Sequence, residues 1–119
     1  MPIKFSNDKP IFLQLAEIIK GNILGGKYTI NEKLPSVREF ALMYSINPNT
    51  VQKALQLLED DGLIVTDRTN GKFVAENSGV IKRQKEIIIN NELDNFFEKM
   101  KTLGLTQAEI KELVNRRDE

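Results

Sequence analysis

The sequence contains neither cysteine nor histidine. Without cysteine there is no disulfide and no thiolate nucleophile. Without histidine there is no imidazole base, and the two absences together remove the ordinary ligands of a zinc site. Carboxylates are plentiful, but none falls in a spacing that suggests a paired acid and base in a pocket. An enzyme is therefore not expected, and neither a metal nor a cofactor is. A run of about eighteen apolar residues, long enough to cross a bilayer, is missing too. The opening residues Met1-Pro2-Ile3-Lys4-Phe5 are not followed by the apolar core of a signal peptide. The expectation is a cytoplasmic chain with no membrane partner. A basic surplus is also lacking, since 17 Lys and Arg offset 17 Asp and Glu. The balance holds by segment, nine against nine over Met1–Gly79 and eight against eight over Val80–Glu119. Nucleic-acid binders generally carry net positive charge, so a basic footprint here must come from placement, with Glu59-Asp60-Asp61 turned away from phosphate.

What is present is a chain of 119 residues, 40% hydrophobic, which suits one small globule or a small domain with an appendage. Phe12, Leu15, Ile18, Ile19 and Ile23 recur at helical spacing over Pro10–Leu24, with Pro10 suited to a first turn and Gly25-Gly26 past the end. Lys27–Leu34 reads as a short connection, and Pro35 blocks a helix from running through it. Ser36-Val37-Arg38-Glu39 has the S-x-x-E form of a capping box and predicts a second helix from Ser36 to about Tyr44, buried through Val37, Phe40 and Ala41. After the corner Ser45-Ile46-Asn47, an N-capping asparagine and a first-turn proline open a third helix, Pro48 to about Asp61. Its stripe of Val51, Ala54, Leu55 and Leu58 faces inward, and Gly62 supplies the stop. Leu63–Thr66 and Lys72–Ala75 are β-prone and flank Asn70-Gly71, a strong signal for a two-residue hairpin turn. The expected fold is mostly α with a small β-hairpin: a winged helix-turn-helix over residues 1–76 and a helical dimerisation tail over 77–119, joined at Asn77-Ser78-Gly79.

The third helix carries the functional signal. In a helix-turn-helix the start of the second helix of the motif enters the major groove while the helix before it crosses the backbone. Asn49, Thr50, Gln52 and Lys53 interleave with the buried positions and project near that end. Asn and Gln pair with adenine, Lys with guanine acceptors or phosphate, and the Thr methyl meets thymine. Arg38 and the free N–H groups opening the second helix suit phosphate. Arg68, Thr69, Asn70 and Lys72 bring basic and amide groups to the wing tip. The plainer reading of each is a solvated helix face and an ordinary exposed turn.

At these residues the chain resembles the GntR family of bacterial transcription regulators. The stretch LPSVREFALMYSINPNTVQKALQLLEDDGLI followed by NGKFV carries the resemblance, and PIFLQLAEIIKGNILGGKY is similar to the family's first helix. The short tail and the NPNTV turn are similar to its YtrA subfamily. Carried over by position, the resemblance implies DNA contacts from Ser36, Arg38, Asn47, Asn49, Thr50, Lys53, Gly71 and Lys72. Asn47-Pro48 stands where the family commonly has Ser-Arg, and Thr69-Asn70-Gly71-Lys72 where the wing usually reads Gly-x-Gly-Thr.

In the tail Ile89, Leu93, Phe96, Met100 and Leu103 step by four, three, four and three, with Ile88 and Phe97 beside the seam. Gly104 ends this long helix, and Thr106-Gln107-Ala108-Glu109 caps a last short one. Such a stripe needs a cover. A second copy of the chain is expected there, through Ile89, Leu93, Phe96, Phe97, Met100 and Leu103, rather than a fold back onto the first helix. The function expected is a repressor that binds a near-palindromic DNA operator as a homodimer. The other class carried forward is a winged-helix module that binds protein, which the zero net charge favours. An unidentified small-molecule effector is left open, with no residues assigned to it.

Overall fold

The computed structural model describes residues 4–117. Two compact units make up the chain, residues 1–82 and 83–119. In the first unit, α1 (Ile11–Leu24), α2 (Val37–Tyr44) and α3 (Pro48–Asp60) precede an antiparallel hairpin of β1 (Ile64–Asp67) and β2 (Gly71–Val74). Pro10 takes the N-cap position of α1, one residue ahead of the helix. The capping box of α2 forms as its spacing demands: the Ser36 hydroxyl accepts from the Glu39 N–H at 3.0 Å and the Glu39 carboxylate from the Ser36 N–H at 2.8 Å. Ser45 ends α2 in the left-handed region at φ 55°, and Gly62 follows α3 at φ 80°.

One core holds these elements together. Leu15, Ile19, Phe40, Val51, Ala54, Leu55, Leu63 and Val74 are fully buried, with Leu58 and Ile64 nearly so. Each such Leu or Ile contributes roughly 1.5–3 kcal/mol of burial free energy. Of the expected α2 face, Phe40 is buried and Val37 and Ala41 are half-buried against the same cluster, where Tyr44 joins them.

The structure differs from the sequence reading at three places. The hairpin pairs Asp67 with Gly71, so the loop is Arg68-Thr69-Asn70 and not a two-residue Asn-Gly turn. The cause is Asp67, whose Oδ1 accepts from the N–H groups of Thr69 at 2.9 Å and Asn70 at 3.1 Å and closes the turn ahead of the glycine. Gly71, at φ 106°, then re-enters the strand. Second, the Lys27–Leu34 connection lies along β2: Lys33 bridges Phe73, the Leu34 N–H bonds the Lys72 carbonyl, and the Val74 N–H bonds the Glu32 carbonyl. It covers an edge that would otherwise be open. Third, Asn77-Ser78-Gly79 is a helix start. The Asn77 Oδ1 accepts from the N–H groups of Gly79 at 2.9 Å and Val80 at 3.3 Å, and α4 (Ser78–Thr102) follows at once. Val80 and Ile81 on its first turn pack against the core of the first unit.

The second unit comprises α4 from Arg83 onward and α5 (Gln107–Asn115). Gly104, at φ 88°, follows α4. Thr106 and Glu109 form the second capping box, with hydrogen bonds of 3.1 and 2.8 Å. Ile110 is buried, while Ile87, Ile88, Ile89, Leu93, Phe96, Leu103, Leu113 and Val114 are exposed. Phe97 and Met100 are half-buried, and the Phe96 and Phe97 rings meet edge to face at 5.7 Å.

Candidate nucleic-acid interface

Helix α3 sorts its residues by period. Val51, Ala54, Leu55 and Leu58 face the core, and two positions back the stripe Asn49, Gln52, Lys53 and Gln56 repeats the same spacing on the opposite side, exposed throughout. Asn47 sets the start of the rod: its Oδ1 accepts from the Asn49 N–H at 2.7 Å, and its Nδ2 has no hydrogen-bond partner among the described residues. Thr50 is half-buried beside the stripe. Gln56, which the sequence reading passed over, extends the stripe by a turn, and its Nε2 donates to Asp60 Oδ1 at 2.9 Å. Extending the three-four spacing one step further would have found it. The Lys53 ammonium lies 5.6 Å from the centre of the Phe12 ring on α1. Such a contact steadies a cation without neutralising it.

Helix α2 presents its N-terminus beside this rod in sequence. Ser36 is its cap, exposed Arg38 stands on its first turn, and the box leaves the Val37 and Arg38 N–H groups without intramolecular partners among the described residues. The hydrogen bonds from the backbone and hydroxyl of Ser36 hold the Glu39 carboxyl below its usual value, so this helix start already has one anion of its own.

The wing is divided. At its tip Arg68 is exposed and makes no ion pair among the described residues, while the N–H of Thr69, with those of Asn70, keeps the Asp67 carboxyl below its usual value. Lys72 points elsewhere. It shares a strand face with Val74, and its register partner Thr66 shares one with Ile64, so both start from the side of the hairpin that meets the core. Its ammonium donates to Thr66 Oγ1 at 2.7 Å and stands 3.5 Å from Glu59 Oε1 at the end of α3. Gly71 leaves room beside the hairpin for Lys33: a Cβ there would come within 3.3 Å of Lys33 Cε. Lys33 is a second exposed cation of the wing that the sequence reading, taking its segment as a plain connection, did not single out.

An exposed amide-bearing rod packed against a capped helix and followed by a hairpin is the arrangement of the winged helix-turn-helix class. The family model for "Bacterial regulatory proteins, gntR family" matches residues 12–74, and the chain belongs to that family. It is 37% identical over 112 residues to the HTH-type transcriptional regulator YhcF of Bacillus subtilis, covering 94% of this chain and 93% of that one. It is 44% identical over 69 residues to the HTH-type transcriptional repressor YtrA of the same organism, covering 58% of this chain and 53% of that protein. Among solved structures, a GntR family transcriptional regulator from Listeria monocytogenes superposes with a TM-score of 0.87 at 33% identity, covering 96% of this chain and all of that one. The DNA-binding domain of AraR in complex with operator ORR3 superposes with a TM-score of 0.56 at 28% identity, covering 63% of this chain and 90% of that one. The protein is thus a DNA-binding transcriptional regulator, and among the described residues no helix is long and apolar enough to cross a membrane.

Proposed function

We propose that this regulator is a cytoplasmic repressor without enzymatic activity, which binds a near-palindromic operator as a homodimer. The observation that carries the reading is the exposed stripe Asn49, Gln52, Lys53 and Gln56, set on a rod whose opposite side is locked into the core. Asn49, Gln52 and Lys53 read base edges, with Thr50 beside them. Ser36, Arg38 and the Asn47 amide hold phosphate, and Arg68 and the Gly71 backbone follow the strand beside the groove. Residues 1–76 act as the reading head and residues 77–119 as the dimerising tail. The exposed apolar side chains of Ile89, Leu93 and Phe96 support pairing with a second copy, which would set two reading heads about one DNA turn, roughly 34–36 Å, apart.

Selection of bound duplexes from a random pool tests the reading. It should return an inverted repeat, and affinity for it should fall steeply with log salt. A flat salt response, or no preference over random duplex, refutes it in favour of a protein-binding module. Light scattering at micromolar concentration should give twice the chain mass of 13.6 kDa, and joint Leu93→Asp and Phe96→Asp replacement should yield monomers with weak operator binding.

A further inference from the structure

We propose that Glu59 is a positioning residue for DNA binding, a latch that holds the wing lysine Lys72 away from the phosphate backbone and so weakens the grip on arbitrary duplex. Three contacts carry this. Lys72 donates to Thr66 Oγ1 at 2.7 Å, the Thr66 hydroxyl donates to Glu59 Oε1 at 2.8 Å, and Lys72 completes the triangle with Glu59 at 3.5 Å. The pair is sheltered, the two side chains being 21% and 34% exposed. That sets it apart from the surface pair of Lys9 and Glu17, at 52% and 66%. Strand parity starts Lys72 on the inward face with Val74, so the direction is built into the register. The last turn of α3 adds its negative dipole end, with Asp60 and Asp61 alongside. A cation in that setting counts toward the sequence composition but not toward the charge a duplex meets. The inference rests on the DNA contacts proposed above and adds which wing cation takes no part in them while Glu59 holds it.

The experiment is a salt titration of binding to a random-sequence duplex by the 119-residue chain and three variants. Each phosphate contact per protomer adds about 0.9 to the slope of log affinity on log salt. Glu59→Gln should steepen the slope by about that amount per protomer, Lys72→Ala should leave the wild-type slope unchanged, and the double variant should match the wild type. Flattening by Lys72→Ala alone would overturn the latch, because Lys72 would already be on phosphate. Equal steepening by Glu59→Gln with and without Lys72 would also overturn it, because the effect would be a general loss of negative charge. The latch is read without DNA as slowed proton exchange of the Lys72 ammonium by NMR, lost in Glu59→Gln. Rapid exchange in the wild type would overturn it. A wild type that binds no duplex would overturn the contact map and with it the latch's role in DNA binding, whereas duplex binding without the slowed exchange would overturn the latch and leave the contact map standing.

Discussion

Asn47 caps α3 and, in the proposed reading, also holds phosphate, and substitutions can separate the two roles. Its Oδ1 caps α3 through the 2.7 Å bond from the Asn49 N–H, while its Nδ2 is free to donate to DNA phosphate. Replacing an Asn cap by Ala costs about 1 kcal/mol, and a domain of this size shifts its melting point by ~4–8 °C per kcal/mol. Asn47→Ala should therefore melt ~4–8 °C below the wild type. Asn47→Ser and Asn47→Asp keep a capping oxygen and should melt close to the wild type; Asp gains a little from the positive end of the helix. Operator binding ranks them differently. A hydrogen bond to a charged acceptor is worth about 1.5–3 kcal/mol, so losing the Nδ2 donors in the Ser variant should weaken binding by about tenfold or more per half-site. The Asp variant, with an anion set against phosphate, should bind more weakly still. Thermal unfolding by circular dichroism and fluorescence anisotropy with a labelled operator measure the two effects. An Ala variant as stable as the wild type would refute the cap, and an Asp variant that binds as tightly as the wild type at low salt would refute the phosphate contact.

Other positions give independent checks. Gln52→Ala, in the middle of the exposed stripe, should lower discrimination at one operator base pair by about 1–3 kcal/mol with little change in melting, as measured against single-base operator variants. Leu55→Ala removes a side chain that is 0% exposed between α3 and the core and should cost about 2–5 kcal/mol in urea unfolding. The pH dependence has a definite sign. The Glu39, Asp67 and Glu109 carboxyls are all held below their usual values by hydrogen bonds from Ser36, from Thr69 and Asn70, and from Thr106. Their contribution is complete above the ordinary carboxylate range and is lost as pH falls through it to the depressed native values. Urea midpoints should therefore drop between pH 6 and pH 3, and equal midpoints would contradict the capping boxes.

The helices were legible because their signals are local. Ser36 with Glu39, Thr106 with Glu109, and Asn47 with Pro48 each announce a helix start within four residues, and the spacing of Val51, Ala54, Leu55 and Leu58 gives the buried face directly. The wing was less legible. Asn70-Gly71 is a strong turn signal, but the Asp67 carboxylate captures two N–H groups first and lengthens the loop. The Lys27–Leu34 segment becomes a strand neighbour only because β2 offers an edge, a fact held in distant residues. Lys72 shows the same limit. Its charge suggested phosphate, yet its direction follows from Val74 two residues on, and its partner Glu59 lies thirteen positions earlier in the chain. The exposed stripe was visible as far as Lys53, and Gln56 needed only one further turn of the same periodicity.

The sequestered wing lysine bears on how the regulator shares its time along a chromosome. Every base pair outside the operator is a decoy, and decoys outnumber a true site by roughly a millionfold or more. On the proposed contacts, a head that relies on neutral amides and keeps a cation in reserve loses fewer of its copies to those decoys, so a small pool of the protein can keep one operator filled.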